Sequence, residues 1–348
     1  MWNKTISAAL VAFGMTASSA AMAQAPEPYQ VTPELEAAAK AEGQVIFYTA
    51  TDVTVAEKLA DLFRQKYPDI AVQVERSGTE RVFQRIGQEY GSGIHNADVI
   101  ETSDAVHFQY FKREGWLAPM VPQELADKWP GEERDADGMH AAYRAHLSVI
   151  AYRTDLLPEA EAPKTWEDLL DPRFKDKMVK AQPGYSGTVM TATHILSDLL
   201  GWEWFEKLAT QNVMQVQSST EPPKKLAAGE RMLQVDGNEY NIFRLQDEGV
   251  PVKIVYPEQG TPLAVGNAAV LKDGPHPNAA KLFYAFLFSL EAQQLNSDFG
   301  GLRSFHPDVK EKEGRTPISE IKVLHSDPMK LEPEIQNIKS RYEQYFGT

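Results

Sequence analysis

Four short turns carry small hydroxyl side chains and glycine where an apolar run gives way to a helical pattern: Thr49-Ala50-Thr51, Ser77-Gly78-Thr79, Thr102-Ser103 and Ser186-Gly187-Thr188. A helix start offers free backbone N–H groups and a partial positive charge, so such turns favour anions. Each turn taken alone also reads as ordinary capping by Ser or Thr. In parallel α/β folds, however, strand ends and helix starts gather on one edge, where ligands bind. Four such turns therefore predict a polar cleft. Covalent chemistry finds less support. Gly184-Tyr185-Ser186-Gly187-Thr188 resembles a nucleophile elbow but lacks glycine at its fifth place. No two of the eight histidines stand at the i, i+4 spacing of a helical metal site, and there is no Walker loop or Gly-rich dinucleotide loop. An exported hydrolase built on Ser186 is the enzymatic alternative, and the sequence reads as a non-enzyme.

The turns belong to repeated strand–turn–helix units. Val45–Tyr48 is a short apolar run suited to a buried parallel strand, and Val55, Leu59, Leu62 and Phe63 then fall on one helical face. Thr54 with Glu57, and Ser77 with Glu80, have the spacing of capping boxes. Further strands are predicted at 70–76, 98–101, 147–152, 179–181, 213–216 and 232–235. The turns at 218–220 and 236–238 again lead into helices. Units of this kind in series imply an α/β fold with parallel sheets.

The chain has 348 residues, which exceeds one ordinary core and predicts two lobes. Thirty-five Lys and Arg face 49 Asp and Glu, for a net charge of −14. That balance argues against a nucleic-acid surface, which needs clustered cations. With no cysteine, disulfides, thiolate nucleophiles and thiolate metal sites are excluded together. Met1–Ala23 reads as a leader: Lys4, a modest apolar run from Ile6 to Met15, and an Ala21-Met22-Ala23 cleavage pattern. That run is shorter than the ~20 residues a membrane span needs. Export to a bacterial periplasm is expected.

The chain resembles the bacterial extracellular solute-binding proteins of the iron(III)-type cluster, within the type II periplasmic binding proteins. The stretches VIFYTATD, ADVIETSDAVHFQYFKREGWLAPM, LSVIAYRTDLL, APKTWEDLLDPRFKDKMV, PGYSGT and KKLAAGERMLQVDGNEY carry the resemblance in this order. It implies a two-lobed α/β fold with crossing strands at the hinge. After the 1–23 leader, one lobe would comprise 24–142 plus 267–300 and the other 146–262 plus 301–348. The hinge would lie near 143–148 and 263–267, with the tail on the second lobe. It also implies capture of a small solute for an inner-membrane ABC permease, without a cofactor; a monomer is expected.

Iron-binding members use a tyrosine pair plus a further tyrosine near the first crossing. Tyr240 matches the first of the pair, Asn241 stands where the second belongs, and Tyr143 matches the crossing tyrosine. Ferric iron on Tyr143, Tyr240 and Glu239, with an anion completing the sphere, is therefore the alternative to a small anionic solute bearing phosphate, phosphonate or carboxylate. For the anion, the expected contacts are Thr49, Thr51, Ser77, Gly78, Thr79, Ser103, Tyr143, Arg144, Ser186, Gly187, Thr188, Asn238, Tyr240 and Asn241. A polyamine- or thiamine-type cation would instead need Asp236 and Glu239.

Overall fold

A computed structural model describes residues 25–347, so the expected leader lies outside the described residues. In chain order the first lobe is built from α1 (Pro33–Glu42), β1 (Gln44–Thr49), α2 (Val53–Lys66), β2 (Ala71–Arg76), α3 (Thr79–Gly91), β3 (Val99–Thr102), α4 (Ala105–Arg113), β4 (Leu117–Ala118) and α5 (Gln123–Lys128). β1 lies between β2 and β3 and pairs with both in parallel, so the starts of α2, α3 and α4 all emerge at one edge. Phe47 of β1, Phe63 of α2 and the rings of Phe283 and Phe286 interlock edge-on at 5.1–5.2 Å. That geometry adds to the burial of each ring.

A long strand, β5 (Ala141–Arg153), carries the chain across to the second lobe, which contains β6 (Met178–Ala181), α6 (Gly187–Leu200), α7 (Trp202–Ala209), β7 (Met214–Val216), α8 (Glu221–Ala227), β8 (Leu233–Asn238), α9 (Glu239–Asp247) and β9 (Val252–Val255). β6 pairs in parallel with β7 and β8, while β5 runs antiparallel to β8 and β9. Trp166, Trp204, Phe205 and Leu208 anchor its core, and the Trp166 indole donates to Gly260 O at 3.0 Å. A second crossing strand, β10 (Thr261–Leu271), returns to the first lobe and pairs antiparallel with both β5 and β3. Its pairing with β5 shifts register between Gly266 and Asn267. α10 (Pro277–Leu287) and α11 (Leu290–Asp298) complete the first lobe, and β11 (Val323–Leu324) and α12 (Pro328–Phe346) end the chain.

Three sequence-based expectations change. α2 is capped by Asp52, whose carboxylate accepts from Thr54 N, so the Thr54–Glu57 box does not form. α3 starts from Gly78 with no side-chain cap, which frees Glu80 for other partners. The tail does not rest on one lobe alone: α12 packs on α6 and α7 of the second lobe and on α4 of the first. Among the described residues no helix is long and apolar enough to cross a membrane.

Candidate functional site

The strand ends of both lobes meet around a narrow, nearly closed cavity of about 20 Å3. The first lobe contributes Ala50, Arg76, Gly78, Thr79 and Ser103; the second contributes Tyr185, Ser186, Thr188, Ser218, Ser219, Thr220 and Tyr240; the crossing strand β5 contributes Arg144. The lining includes no Asp, Glu or His. A larger groove of about 380 Å3 opens elsewhere between the lobes, but it mixes acids such as Glu132, Glu133 and Asp135 with apolar Val106, Leu263 and Leu331. No comparable set of hydroxyl groups from both lobes converges there.

The two lobes touch at the cleft. A β-carbon placed on Gly187 would stand 2.9 Å from Ser103 O and 2.7 Å from the β-carbon of Asp104, across the interlobe seam. Only glycine permits this approach of the α6 start to the α4 start. On the first-lobe wall, Thr79 and Ser103 share a hydroxyl hydrogen bond of 2.9 Å. On the second, Ser186 caps α6 through a long contact from Val189 N at 3.5 Å.

Arg76 supplies the unpaired positive charge, and Arg144 adds a guanidinium already held by Glu101. Arg144 is almost fully buried and donates from Nε to Glu101 Oε1 at 2.9 Å. Gly266 leaves the room for this, since a β-carbon there would sit 2.8 Å from the same oxygen. Arg76, at the end of β2, is exposed and reaches only Thr51 O, at 3.4 Å, with no ion pair among the described residues. Beside Arg144, His146 holds Thr188 Oγ1 at 3.0 Å and lies edge-on to Tyr240 at 5.3 Å. Burial, and then the neighbouring Arg144 charge, push the His146 pKa well below its ordinary value, so the ring is neutral. Burial raises the Tyr240 phenol, although Arg144 pulls it down; its hydroxyl accepts from Asn238 Nδ2 at 3.1 Å.

Gly78, Thr79, Ser103, Arg144, Ser186, Thr188 and Tyr240 thus line the cavity, with Gly187 at its closed edge. The other expected residues do not line it. Thr49 and Thr51 are consumed by Glu101, whose Oε2 accepts from Thr49 Oγ1 at 2.6 Å and Thr51 Oγ1 at 2.9 Å. Ser77 is half-buried beside the wall, and Asn238 stands behind Tyr240, also donating to Ser219 at 3.2 Å. Asn241 is buried outside the lining. Tyr143 is fully buried in the first-lobe core, with its hydroxyl on Asn296 at 3.3 Å; its place in the alternating strand turns it away from the cleft. The acids named for a cation are already neutralised. Asp236 pairs with buried Lys180 at 2.5 Å, and both Glu239 oxygens accept from Arg303, at 2.7 and 3.0 Å.

Sequence reasoning missed Arg76, Glu101, His146, Tyr185 and the 218–220 turn as site residues. The last carries the same strand–hydroxyl–helix signature as the four turns that were recognised. Glu101, an acid ending an apolar run, signals a buried cation partner.

A model of the family described as bacterial extracellular solute-binding protein matches residues 49–294. The chain belongs to that family. Members bind solutes for ABC transporters at the bacterial periplasmic or extracellular face, work with a membrane permease and are not enzymes; no cofactor is indicated. Among curated relatives of this solute-binding protein, iron uptake protein A2 of Synechocystis sp. is 25% identical over 282 residues, covering 76% of this chain and 79% of that protein. Among solved structures, AfuA of Actinobacillus pleuropneumoniae with fructose-6-phosphate bound superposes with a TM-score of 0.79 at 22% identity, over 88% of this chain and 99% of that one. Iron-bound HitA from Pseudomonas aeruginosa gives 0.73 at 22%, over 86% and 99%. At such identities the structural likeness shows the fold: α/β, two-lobed, of the type II periplasmic binding class.

Proposed function

We propose that this solute-binding protein captures a small organic anion bearing a phosphate, phosphonate or carboxylate, by closing its two lobes over it. The observation that carries the reading is the composition of the cleft wall: two guanidinium groups and hydroxyls from both lobes, without a carboxylate. Guanidinium, hydroxyl and helix-start N–H groups are all donors, and an oxyanion is the ligand that uses them together. We place the hinge in the β5–β10 pair, near residues 143–148 and 263–267. Contacts made by both lobes at once, such as Ser186 with Ser103 and Thr79 on a shared solute, favour the closed state.

Relatives favour a second reading. Their names include an iron uptake protein and an Fe(3+)-binding periplasmic protein, and HitA was solved with iron. Tyr185 and Tyr240 are the phenols on this wall, beside Arg76 and Arg144, so iron here would need an accompanying anion. Titration of the purified protein with ferric citrate separates the two readings. No intense phenolate-to-iron band in the visible is expected; a stoichiometric band removed by Tyr240→Phe would establish iron instead.

A further inference from the structure

Beside the cleft, three side chains converge that solute capture does not use. Glu80 is the second residue of α3, Asp104 caps α4, and His107 lies in the first turn of α4. Glu80 Oε1 is 3.3 Å and Asp104 Oδ2 is 3.7 Å from the same nitrogen, His107 Nε2. All three donor atoms lie within 4.8 Å of one another. The Asp104 and His107 side chains are only 1% and 6% exposed. Oδ1 of Asp104 accepts from Val106 N at 2.9 Å, but Oδ2 accepts no hydrogen bond although it is buried and faces the other two. Leaving such an oxygen without a donor is costly, and a cation would supply the partner it lacks. Phe83 stacks on the His107 ring at 4.2 Å and fixes its plane.

Metal–ligand bonds of about 2.0–2.2 Å place tetrahedral neighbours about 3.3–3.6 Å apart, close to the 3.3 and 3.7 Å that separate His107 Nε2 from the two carboxylates. We propose that Glu80, Asp104 and His107 form a divalent transition-metal site of zinc type, separate from the solute cleft and independent of which solute the cleft takes. One imidazole and two carboxylates suit Zn2+, leaving a fourth position for water. The bound ion would tie the α3 start to the α4 start and so hold Thr79 and Ser103 at their places on the cleft wall. Lys339 of α12 stands 3.3 Å from the other Glu80 oxygen and competes with the ion for that acid.

The test is calorimetric titration of the full chain, stripped with EDTA, with zinc chloride alone. One equivalent is expected to bind, and Asp104→Asn and His107→Gln are each expected to weaken it by about 100-fold. Lys339→Ala, which removes the competing charge, is expected to tighten it. Asn keeps the α4 cap, so Asp104→Asn remains informative if His107→Gln disturbs the fold by circular dichroism. The proposal falls if no stoichiometric step appears or if Asp104→Asn leaves its affinity unchanged. A step abolished by Tyr240→Phe would also overturn it, because the ion would then sit in the cleft.

Discussion

Arg76 and Arg144 face the same cavity under different constraints, and their substitution should separate binding from folding. Arg144 neutralises Glu101, a fully buried acid that also gathers Thr49 and Thr51. Removing it leaves that charge unpaired, at a cost of about 3–5 kcal/mol in stability. Arg76 is exposed and holds no carboxylate. Arg76→Ala should therefore leave urea unfolding nearly unchanged. It should nevertheless cost one charge-assisted contact of about 1.5–3 kcal/mol, or roughly 10- to 100-fold in affinity. A separate residue-scale effect concerns acid. Burial lowers the pKa of His140, and burial with Arg144 lowers that of His146. The unfolded chain then takes up protons near pH 6.5 that the folded chain refuses, so stability is full above that pH and declines as pH falls. The slope is about 1.4 kcal/mol per pH unit for each group still neutral in the fold. Unfolding at pH 7 and pH 5 checks it, and His146→Gln should shrink the difference; an unchanged difference would remove His146 from the explanation. Much of the site was legible at this scale, because Thr79, Ser103, Ser186 and Thr188 are hydroxyls at helix starts after strands. Thr49 and Thr51 share that signature, yet the acid they serve lies some fifty residues on, at Glu101. Tyr143 misleads for another reason: on a strand buried along both faces, sequence does not say which face the ring takes.

Among the elements, the start of α6 matters most. Its Gly187 meets Ser103 O and Asp104 only because the lobes are together. Gly187→Ala should leave each lobe intact, since alanine is a good helix residue, but obstruct closure. Overpacking of this kind costs about 1–3 kcal/mol, so solute affinity should fall by roughly tenfold or more. Small-angle scattering with solute present should show a more open molecule; unchanged affinity and an equally compact form would contradict the seam. Strand–helix alternation was readable because the core strands of the parallel sheets are short apolar runs. The length of β5 was not, since twelve of its thirteen residues are buried and no alternation marks its ends. The helix caps shifted because Asp52 outcompetes Thr54 for the start of α2, and because Glu80 is drawn to His107 and Lys339.

For the whole molecule, two lobes of one solute-binding protein are joined by β5 and β10 and spanned again by α12. That helix pairs Glu332 with Arg113 of α4, while its Tyr342 donates to Ala181 O at 3.2 Å in the second lobe. Nothing in the periodicity of the tail distinguishes a helix on one lobe from a helix across two, which is why its bridging position was not foreseen. The net charge of −14 sits on a surface whose cleft nonetheless carries two arginines. Overall charge governs solubility, whereas local donors decide what enters. Native mass spectrometry of protein purified without denaturation tests the central claim most directly, because a closed cleft retains its cargo. The expected result is a bound organic acid of small mass, present in the parent protein and lost from Arg76→Ala. A mass increment of one ferric ion per chain, retained by Arg76→Ala and lost from Tyr240→Phe, would contradict it.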